Sequence, residues 1–327
     1  MNDAVRSQRR KCFFREFRVA LAELRRVYKD SDGGHVVDAF DEARRSSFGF
    51  RLLTGALERI YPVRAFLHRA AYLFDPAIGE MGLGAGCRHI FDELGLQWTY
   101  AMSEQTQACV AQKPVILYGN HPSLLTPFLT AAVVDREDLR FCSTNYVRRL
   151  IPRFRKYCHP LEVQLTKTAT EWRRGGLRRV LAYRLISLLH AVPDGQAIRE
   201  INRETLRLAG EDLRSGGCVM IIPGGGGTRE GRWFGGIGIL ARDVLEHPGE
   251  QDVWIVPVRE ENSSNHRIYA SMMNGPVARM RHRRFERQPI VFRLAEPAML
   301  KGVVSLSQTT RQMVDSLRNH FENSFPG

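Results

Sequence analysis

A histidine follows a short hydrophobic run near the middle of the chain. In VILYGNHPSLLTPFL (115–129), the first five residues predict a strand, and His121 lies where a turn leads into an apolar helix. Ligands of open α/β sheets bind beyond the carboxyl ends of the strands, and an imidazole titrates near neutral pH. The position therefore predicts that His121 acts as a general base, the alternative being a structural histidine. Asn-His occurs three times, at 120–121, 265–266 and 319–320, but only the first follows a predicted strand and opens a helix.

A run of four glycines forms a second candidate site. In VMIIPGGGGTREGRWFGGIGILA (219–241), a predicted strand leads into the glycines and then into a helix. Glycines let the backbone approach a ligand closely and turn its N–H groups toward an anion. Arg229 adds a planar fork that suits phosphate or carboxylate. The lysine of a P-loop is absent, which disfavours a nucleoside triphosphatase; the alternative here is a plain flexible turn.

The histidine segment resembles the first motif of the glycerolipid acyltransferases, a family that includes the 1-acylglycerol-3-phosphate acyltransferases. That motif is Asn-His, four residues, then Asp, and GNHPSLLTPFL matches it except at the last position, which is Thr126. The resemblance implies that His121 removes a proton from an acceptor hydroxyl, which attacks an acyl thioester. It also implies that Asn120 and Ser123 belong to the substrate site, and that Thr126 supports the histidine from the aspartate position.

The threonine is a chemical departure from this motif. A hydroxyl can accept a hydrogen bond from the imidazole, but it cannot stabilise an imidazolium as a carboxylate does, because charge-assisted hydrogen bonds are roughly twice as strong. Thr126 therefore implies a weak enzyme, a carboxylate supplied from elsewhere in the fold, or a lost activity. A literal His-x4-Asp occurs at His247–Asp252, but it precedes a predicted strand in a Pro-Gly turn, and we interpret it as a coincidence.

The glycine run resembles the third motif of the same family, a strand ending in Pro-Glu-Gly-Thr-Arg. Gly224 stands where that motif has glutamate, and Pro-Gly-Gly followed by Arg-Glu is similar to the diacylglycerol acyltransferases of the neutral-lipid branch. Two further blocks, RFCSTNYVRRLIPRF (140–154) and VWIVPV (253–258), match in order, so the resemblance covers about residues 95–325. It implies that the substrate is bound by Gly224, Gly225, Gly226, Thr228, Arg229, Glu230 and Pro257.

The pattern around these motifs predicts the fold. Short Val/Ile-rich runs alternate with helical patterns, which indicates an α/β fold with a mostly parallel central sheet flanked by helices. The predicted strands are 115–119, 139–144, 162–165, 219–224, 253–258 and 290–294. The predicted helices lie near 124–134, 196–214, 236–246 and 305–322. We expect this α/β domain to span residues 95–325.

Residues 1–90 are predicted to form a basic helical region. Apolar side chains recur at helical spacing from Phe13 to Tyr28, with arginines between them, and again from Leu52 to Ile60, where Leu52 and Leu53 belong to the apolar side. The GLGAG run at 82–86 predicts a loop. These helices either pack on the main domain or lie on an anionic membrane surface with their arginines at the headgroups.

Composition narrows the class of protein. The 327 residues carry 48 Lys and Arg against 35 Asp and Glu, a net charge of +13, which favours anionic partners. Six widely spaced cysteines exclude a disulfide scaffold and indicate a reduced, metal-free intracellular protein. Residues 114–134 carry no formal charge, but two prolines inside the stretch predict a strand, a turn and a buried helix instead of a membrane span.

The sequence thus predicts an acyltransferase that moves a fatty acyl group from acyl-CoA or acyl carrier protein to a hydroxyl of a lysophospholipid, glycerolipid or lipid-like acceptor. No metal or other cofactor is predicted. We expect a cytoplasmic protein that makes peripheral contact with the cytoplasmic face of an anionic membrane. The alternative is a catalytically degenerate lipid-binding or regulatory protein on the same fold. Nucleic-acid binding is not predicted, because no recognition motif accompanies the charge.

Overall fold

The computed structural model describes residues 3–30, 33–58, 62–162, 194–224, 233–272 and 288–325. The chain divides into two compact units, a helical unit and a sheet unit. The helical unit comprises Met1–Pro76, Thr144–Arg153 and Glu162–Ile198. The sheet unit comprises Ala77–Ser143, Phe154–Leu161 and Arg199–Gly327.

The helical unit packs a long first helix against shorter ones. Its helices are α1 (Asp3–Asp30), α2 (Gly33–Ser46), α3 (Phe48–Glu58), α4 (Val63–Arg69), a π-helical turn (Ala70–Phe74) and α9 (Asn145–Leu150). On α1, Leu24 and Tyr28 are buried as the spacing predicts, while Arg15 and Arg18 are exposed. Leu24 and Tyr28 are part of this unit's own apolar core, together with residues of α2 such as Phe40.

The predicted apolar side of α3 is wrong. Leu52 is 61% exposed and Leu53 is also exposed, whereas Phe50 is buried between the Phe17 and Phe40 rings. Helical spacing does not tell which side of a helix is buried, and the packing selects Phe50, which carries the larger apolar surface. The result is a helix whose leucine side faces solvent.

The sheet unit alternates strands and helices, as the sequence predicts. Its strands are β1 (Trp98–Ala101), β2 (Val115–Gly119), β3 (Leu139–Thr144), β4 (Cys158–Leu161), β5 (Cys218–Ile221), β6 (Trp254–Glu261), β7 (Ile290–Leu294) and β8 (Ala298–Met299). The remaining helices are α5 (Asp75–Met81), α6 (Leu83–Glu93), α7 (Glu104–Gln112), α8 (Thr126–Val134), α10 (Gly195–Arg214), α11 (Gly236–Glu246), α12 (Asn265–Met272), α13 (Leu300–Val303) and α14 (Thr310–Ser324), with a 3-10 turn at Pro152–Tyr157.

The strands form one sheet in the order β1-β7-β6-β2-β5-β3-β4, with β8 paired to β6. The pairs β6–β2, β2–β5 and β5–β3 are parallel, and β7 runs antiparallel to β6. Apolar side chains of α10, α11 and α14 cover one face of this sheet. Elsewhere Phe154 stacks with Phe128 of α8 and lies close to the Phe141 ring of β3. The predicted α/β fold with a mostly parallel sheet is confirmed.

The strand boundaries show where local pattern suffices. The predicted strands 115–119, 139–144 and 290–294 coincide with β2, β3 and β7. Predicted strand 219–224 ends at Ile221 in the structure, and predicted strand 253–258 continues to Glu261. Glu162 does not lie in a strand, and the rest of predicted strand 162–165 lies outside the described residues.

The uncharged stretch 114–134 forms β2, a turn and the buried helix α8, which confirms that part of the prediction. No helix within the described ranges is both long enough and apolar enough to cross a membrane.

The predicted loop at 82–86 is wrong, because α6 begins at Leu83. Gly84 and Gly86 lie inside that helix, where a Cβ would collide with Asp135 and with the Ala77 carbonyl. The glycines therefore allow close packing.

Candidate active site

The loop after β2 begins with a close approach of two backbones. Gly119 pairs with Val258 of β6 at the end of the parallel ladder. A Cβ on Gly119 would lie 1.8 Å from the Val258 carbonyl oxygen, so only glycine fits. The chain therefore leaves β2 pressed against β6, and the residues that follow are placed by that contact.

Asn120 extends the pairing of β2 and β6 through its side chain. Its Nδ2 donates to the carbonyl oxygen of Glu260 at 2.9 Å, and its Oδ1 accepts the Glu260 N–H at 2.8 Å. An amide that satisfies both backbone groups of one residue imitates a further rung of the ladder. The Asn of the Asn-His pair thus fixes the residue before His121 to β6.

A buried carboxyl group receives the next two polar side chains of the loop. Glu260 of β6 is 2% exposed, and its Oε1 accepts the Ser123 hydroxyl at 2.6 Å. Its Oε2 contacts the hydroxyl of Thr126, which is the first residue of α8 and fully buried. Burial raises the pKa of the Glu260 carboxyl, while the hydroxyls of Ser123, Ser263 and Thr126 act in the opposite direction. The Ser263 Oγ nevertheless lacks a partner with hydrogen-bond geometry.

His121 lies between these anchored residues in the chain, and no described residue forms a hydrogen bond with its Nδ1 atom. Its Nδ1 atom is buried without a partner, although the residue as a whole is partly exposed. Burial lowers the pKa of His121 to about 4, because a desolvated imidazolium has no compensating charge. At neutral pH the ring is therefore neutral. A buried polar atom without a partner is costly, and such atoms occur where a ligand, a water or a reacting group completes the site.

Thr126 does not make the hydrogen bond to His121 that its place in the motif suggests. Its Oγ1 lies 2.9 Å from the Ser123 carbonyl oxygen and also contacts Glu260. Ser123 is 1% exposed, so its side chain is likewise directed into the protein. In this structure both hydroxyls bind Glu260, and the imidazole has neither of them as a partner.

The glycine run begins at the neighbouring strand. Gly224 follows β5, and the Pro223 carbonyl accepts the Phe234 N–H at 2.9 Å, which closes the neck of the loop. Trp233 packs edge-on against the Tyr118 ring at 5.8 Å between ring centroids. The candidate residues Gly225, Gly226, Thr228, Arg229 and Glu230 lie outside the described residues.

The sheet register brings the two candidate loops to one edge. Tyr118 of β2 pairs with Ile221 of β5, so the histidine loop and the neck of the glycine loop leave adjacent strands at the same end. Tyr118 also pairs with Pro257 of β6 on its other side. A surface depression lined by Lys113, Gln251, Asp252 and Trp254 lies at the opposite end, where β2 and β6 begin.

Pro257 is a buried residue in the interior of β6, a place where proline is uncommon. On the outer side, β6 pairs with β8 at Trp254 and Ile255 and with β7 from Val258 onward. Pro257 lies where one partner strand gives way to the other, so the missing N–H breaks no rung of either ladder. The sheet pairing therefore explains why a proline is tolerated at this position. No contact of the Pro257 side chain with a substrate is shown.

Two other histidines of the sequence motifs, His320 and His247, differ from His121 in their surroundings. His320 of the third Asn-His pair accepts or donates a hydrogen bond at Nδ1, 2.6 Å from the Tyr118 hydroxyl. His247 is 66% exposed at its side chain and lies near Asp243, while Asp252 pairs with Lys301. The literal His-x4-Asp is therefore not a dyad, as its sequence context indicates.

Comparisons with known proteins give a weak structural similarity and no sequence match. No protein-family model and no curated protein sequence matches the chain. Among solved structures, the chain is similar to that of the 1-acyl-sn-glycerophosphate (LPA) acyltransferase PlsC from Thermotoga maritima, with 17% identity. The similarity covers 82% of this chain and 90% of that one at a TM-score of 0.39. A likeness at this level carries no argument about the site, so the function has to be inferred from the residues.

Glu260 is the residue that sequence reasoning missed. It follows the fourth block, in VWIVPVREE, and lies 134 positions from Thr126 in the chain. One signal was present. Along a strand alternate residues share a face, and Glu260 shares a face with the buried Val258. A glutamate at a buried register position requires polar partners, but the sequence does not say which ones.

Proposed function

We propose that the protein is an acyltransferase with His121 as general base, transferring an acyl group from a thioester to a hydroxyl of a lipid or lipid-like acceptor. The observation that carries the proposal is that the two candidate loops leave adjacent strands at the same end of the sheet. His121 follows the central strand β2, and the glycine loop leaves the adjacent strand β5 at the same end of the sheet. That edge is where parallel sheets bind their ligands.

The chemistry requires one base and no redox partner. The acceptor hydroxyl transfers its proton to the imidazole of His121 while its oxygen attacks the thioester carbonyl carbon. The carbon–sulfur bond then breaks, and the departing thiolate takes the proton from the imidazolium. An ester and a free thiol result, so the reaction needs the acyl thioester as co-substrate but no metal or organic cofactor.

The state of His121 suits the first step. Since burial lowers the pKa of His121 to about 4, the ring is neutral and able to accept a proton at physiological pH. A base with so low a pKa is weak, and substrate binding has to compensate by orienting the hydroxyl and excluding water. This supports a slow rather than a fast transferase, as Thr126 suggests from the sequence.

The glycine loop provides the anion-binding half of the proposal. Glycine N–H groups and the guanidinium of Arg229 would hold a phosphate of coenzyme A, of an acyl carrier protein or of a phospholipid acceptor. Glu230 would contact the acceptor if the acceptor is a neutral lipid. The choice between these acceptors is tested by the substrate panel.

Turnover of thioesters tests the function directly. Acyl-CoA and acyl carrier protein substrates are offered with lysophospholipids and monoacylglycerols, and both the released thiol and the ester product are measured. We expect His121→Ala to abolish product formation. His247→Ala is the matched control, because His247 also precedes a proline but is exposed on the surface. Equal turnover in the two variants would reject His121 as the base.

A second function is favoured by the missing partner of His121. Within the described part of the chain no carboxylate orients the ring, because the Thr126 hydroxyl and the Glu260 carboxyl bind to each other. A protein that retains the fold for lipid binding or regulation would show this arrangement. Saturable binding of a fluorescent acyl ligand, with no thiol or ester released from any substrate pair, would establish this function in place of catalysis.

We also propose that α3 makes a peripheral contact with an anionic membrane on the cytoplasmic side. Phe48 is 58% exposed and Leu52 is exposed on the next turn, and the Arg51 guanidinium lies 5.4 Å from the Phe48 ring centroid. Apolar side chains with a neighbouring arginine suit the boundary between acyl chains and anionic headgroups. A net charge of +13 favours the same partner.

Vesicle sedimentation tests this contact. We expect binding to phosphatidylglycerol vesicles, weaker binding to phosphatidylcholine, and about tenfold weaker binding for Leu52→Ser, since burying a leucine is worth at least roughly 1.5 kcal/mol. Leu306→Ser is the control, because Leu306 is exposed in the sheet unit. If both variants bind like the unchanged protein, α3 is not the contact.

A further inference from the structure

The Glu260 carboxyl is buried, and within the described ranges no cation pairs with it. Among the described residues, none forms an ion pair with Glu260, while its neighbour Glu261 pairs with Arg259 and Arg293 at the surface. Its side-chain hydrogen bonds are instead with the two hydroxyls of the histidine loop, and the Ser263 hydroxyl lies nearby without hydrogen-bond geometry. A buried carboxylate without a countercharge is strongly unfavourable, and such a group tends to retain its proton.

The hydrogen bonds around Thr126 require more protons than its hydroxyl can supply. The Thr126 Oγ1 lies 2.9 Å from the Ser123 carbonyl oxygen, which only accepts, and it also contacts Oε2 of Glu260. One hydroxyl donates one proton, so an ionised Glu260 would leave one of these oxygen pairs without a hydrogen. A protonated Oε2 that donates to Thr126 supplies the missing one.

With that proton in place, the whole network is consistent. At the contact between Oε2 and the Thr126 Oγ1, Glu260 would then be the donor, and Thr126 would donate to the Ser123 carbonyl. The Ser123 hydroxyl donates to Oε1 of Glu260 and accepts the Leu125 N–H at 3.2 Å. Within the set of Glu260, Thr126 and Ser123, each side-chain donor then has an acceptor, and each of these oxygen–oxygen contacts contains one hydrogen. Burial independently raises the pKa of Glu260, in the direction that this arrangement needs.

The network binds residues on both sides of His121 in the chain, and none of the hydrogen bonds named above involves the imidazole. Asn120, on one side of the histidine, is bound to the Glu260 backbone, and Ser123 and Thr126, on the other side, are bound to its carboxyl. The position of the imidazole therefore depends on one residue of β6. Among the described residues, none forms a hydrogen bond with the Nδ1 atom of the ring.

We propose that Glu260, in its protonated form, is the positioning residue for His121, holding the 120–126 loop from β6 in place of the aspartate that the motif would have at Thr126. The inference rests on the proposed function where it treats His121 as the base. A neutral carboxyl orients the loop by hydrogen bonds and adds no negative charge beside the imidazole. It follows that the charge of Glu260 is dispensable, whereas its two hydrogen-bonding positions are not.

Three variants test this proposal. Glu260→Gln replaces the protonated carboxyl by an amide, whose oxygen accepts from Ser123 and whose nitrogen donates to Thr126. Glu260→Ala removes both contacts. Glu261→Gln is the matched control, because it makes the same chemical change one residue along the strand at an exposed ion pair. Circular dichroism and thermal unfolding establish that each variant is folded before it is assayed.

In the transfer assay we expect Glu260→Gln to keep kcat within about threefold of the unchanged protein. We expect Glu260→Ala to lower kcat by roughly a hundredfold with little change in the KM of the thioester, the cost of a base displaced by about 1 Å. Loss of kcat in Glu260→Gln as large as in Glu260→Ala would show that the charged form is required. An unchanged kcat in Glu260→Ala would show that Glu260 does not position His121. Either result overturns the proposal.

Two spectroscopic measurements do not depend on turnover. In protein with ¹⁵N-labelled histidine, the ring signals of His121 are expected to shift in Glu260→Ala but not in Glu260→Gln or Glu261→Gln. The infrared band of a protonated carboxyl is expected in the unchanged protein at neutral pH and is expected to disappear in Glu260→Gln. If the band is absent, or the His121 signals do not move in Glu260→Ala, the inference fails even for an active enzyme. If both are observed without any turnover, the proposed function fails and Glu260 still positions His121.

If Glu260→Ala does not fold, Ser123→Ala and Thr126→Val replace it, since each removes one hydroxyl of the network. Each is expected to shift the His121 ring signals and to lower kcat more than KM changes. Unmoved ring signals in both variants would contradict the role assigned to Glu260.

Discussion

His121 and His320 each follow an asparagine, and the protein uses the two rings in different ways. His320 belongs to α14, its Nδ1 is hydrogen-bonded to the Tyr118 hydroxyl, and its ring stacks on that tyrosine. The Nδ1 of His121 is buried with no partner at the carboxyl end of β2. Burial lowers the pKa of both histidines, yet only His121 keeps an unsatisfied atom. The same dipeptide is thus a structural element in one region and a candidate reactive group in the other.

Alanine at each histidine gives the largest expected contrast. His121→Ala is expected to lower turnover by at least about a hundredfold and up to 10⁴-fold, the range that a positioned general base contributes. His320→Ala is expected to retain turnover but to lower the free energy of unfolding by roughly 1–3 kcal/mol, because the buried Tyr118 hydroxyl loses its partner. Kinetic assays and urea denaturation of both variants measure the two effects. If His121→Ala lowers only the stability and His320→Ala lowers the turnover, the two histidines do not have the roles described.

Thr126→Asp gives the next largest expected effect. The motif and the structure predict different outcomes for this variant. The motif alone suggests that aspartate at this position should raise activity. In the structure it would meet the buried Glu260, where two carboxyls must share a proton. We expect the single variant to lower the free energy of unfolding by about 3 kcal/mol, as an uncompensated buried charge does.

The double variant Thr126→Asp with Glu260→Gln is the control for this clash. The amide can donate to the new carboxylate, so most of the lost stability is expected to return. Chemical denaturation at neutral pH measures both variants. A single variant as stable as the unchanged protein would show that Glu260 and position 126 are not in contact.

The pH dependence of stability sharpens the contrast further. His121 has a pKa lowered to about 4 in the folded state against an ordinary value of 6.5, so the stability it contributes is present above pH 6.5 and is lost as pH falls toward 4. Glu260 has a raised pKa, so its contribution is present below the ordinary value of 4.5 and is lost as pH rises through the folded pKa.

Variants that do not titrate isolate the two effects. Between pH 7 and pH 5, His121→Gln is expected to lose less stability than the unchanged protein, by on the order of 1 kcal/mol. Glu260→Gln is expected to gain stability relative to the unchanged protein as pH rises above 4.5. Urea denaturation at several pH values measures both. Parallel curves for all three proteins would contradict the assigned protonation states.

The smallest expected effect comes from the hydrogen-bonded pair of Tyr118 and His320. Tyr118→Phe removes a hydroxyl and leaves the ring in place, so it should cost about 1 kcal/mol of stability and leave the kinetics unchanged. Thermal unfolding and a transfer assay measure it. A change in kcat would mean that the Tyr118–His320 pair belongs to the site, and the two histidines would no longer differ as described.

The contrast also shows how far sequence reasoning reaches. The strands 115–119, 139–144 and 290–294 were predicted at their observed bounds, because short runs with β-branched or aromatic side chains are typical of strands. The strands β1, β4 and β8 were missed, since they are only two to four residues long. Leu52 and Leu53 misled the prediction, because helical spacing does not tell which side of α3 meets a neighbour.

For the candidate site, the sequence by itself determined the order of elements, the place of His121 after a strand, and the absence of aspartate at Thr126. It also fixed the chemical question that this absence raises, namely where a carboxyl group could come from. Only the tertiary structure decided that Glu260 lies against Ser123 and Thr126, that Asn120 binds its backbone, and that His121 has no partner. The physical reason is that a chain pattern reports local periodicity, whereas the pairing of β2 with β6 joins residues more than a hundred positions apart, and the burial that this creates sets the protonation of both groups.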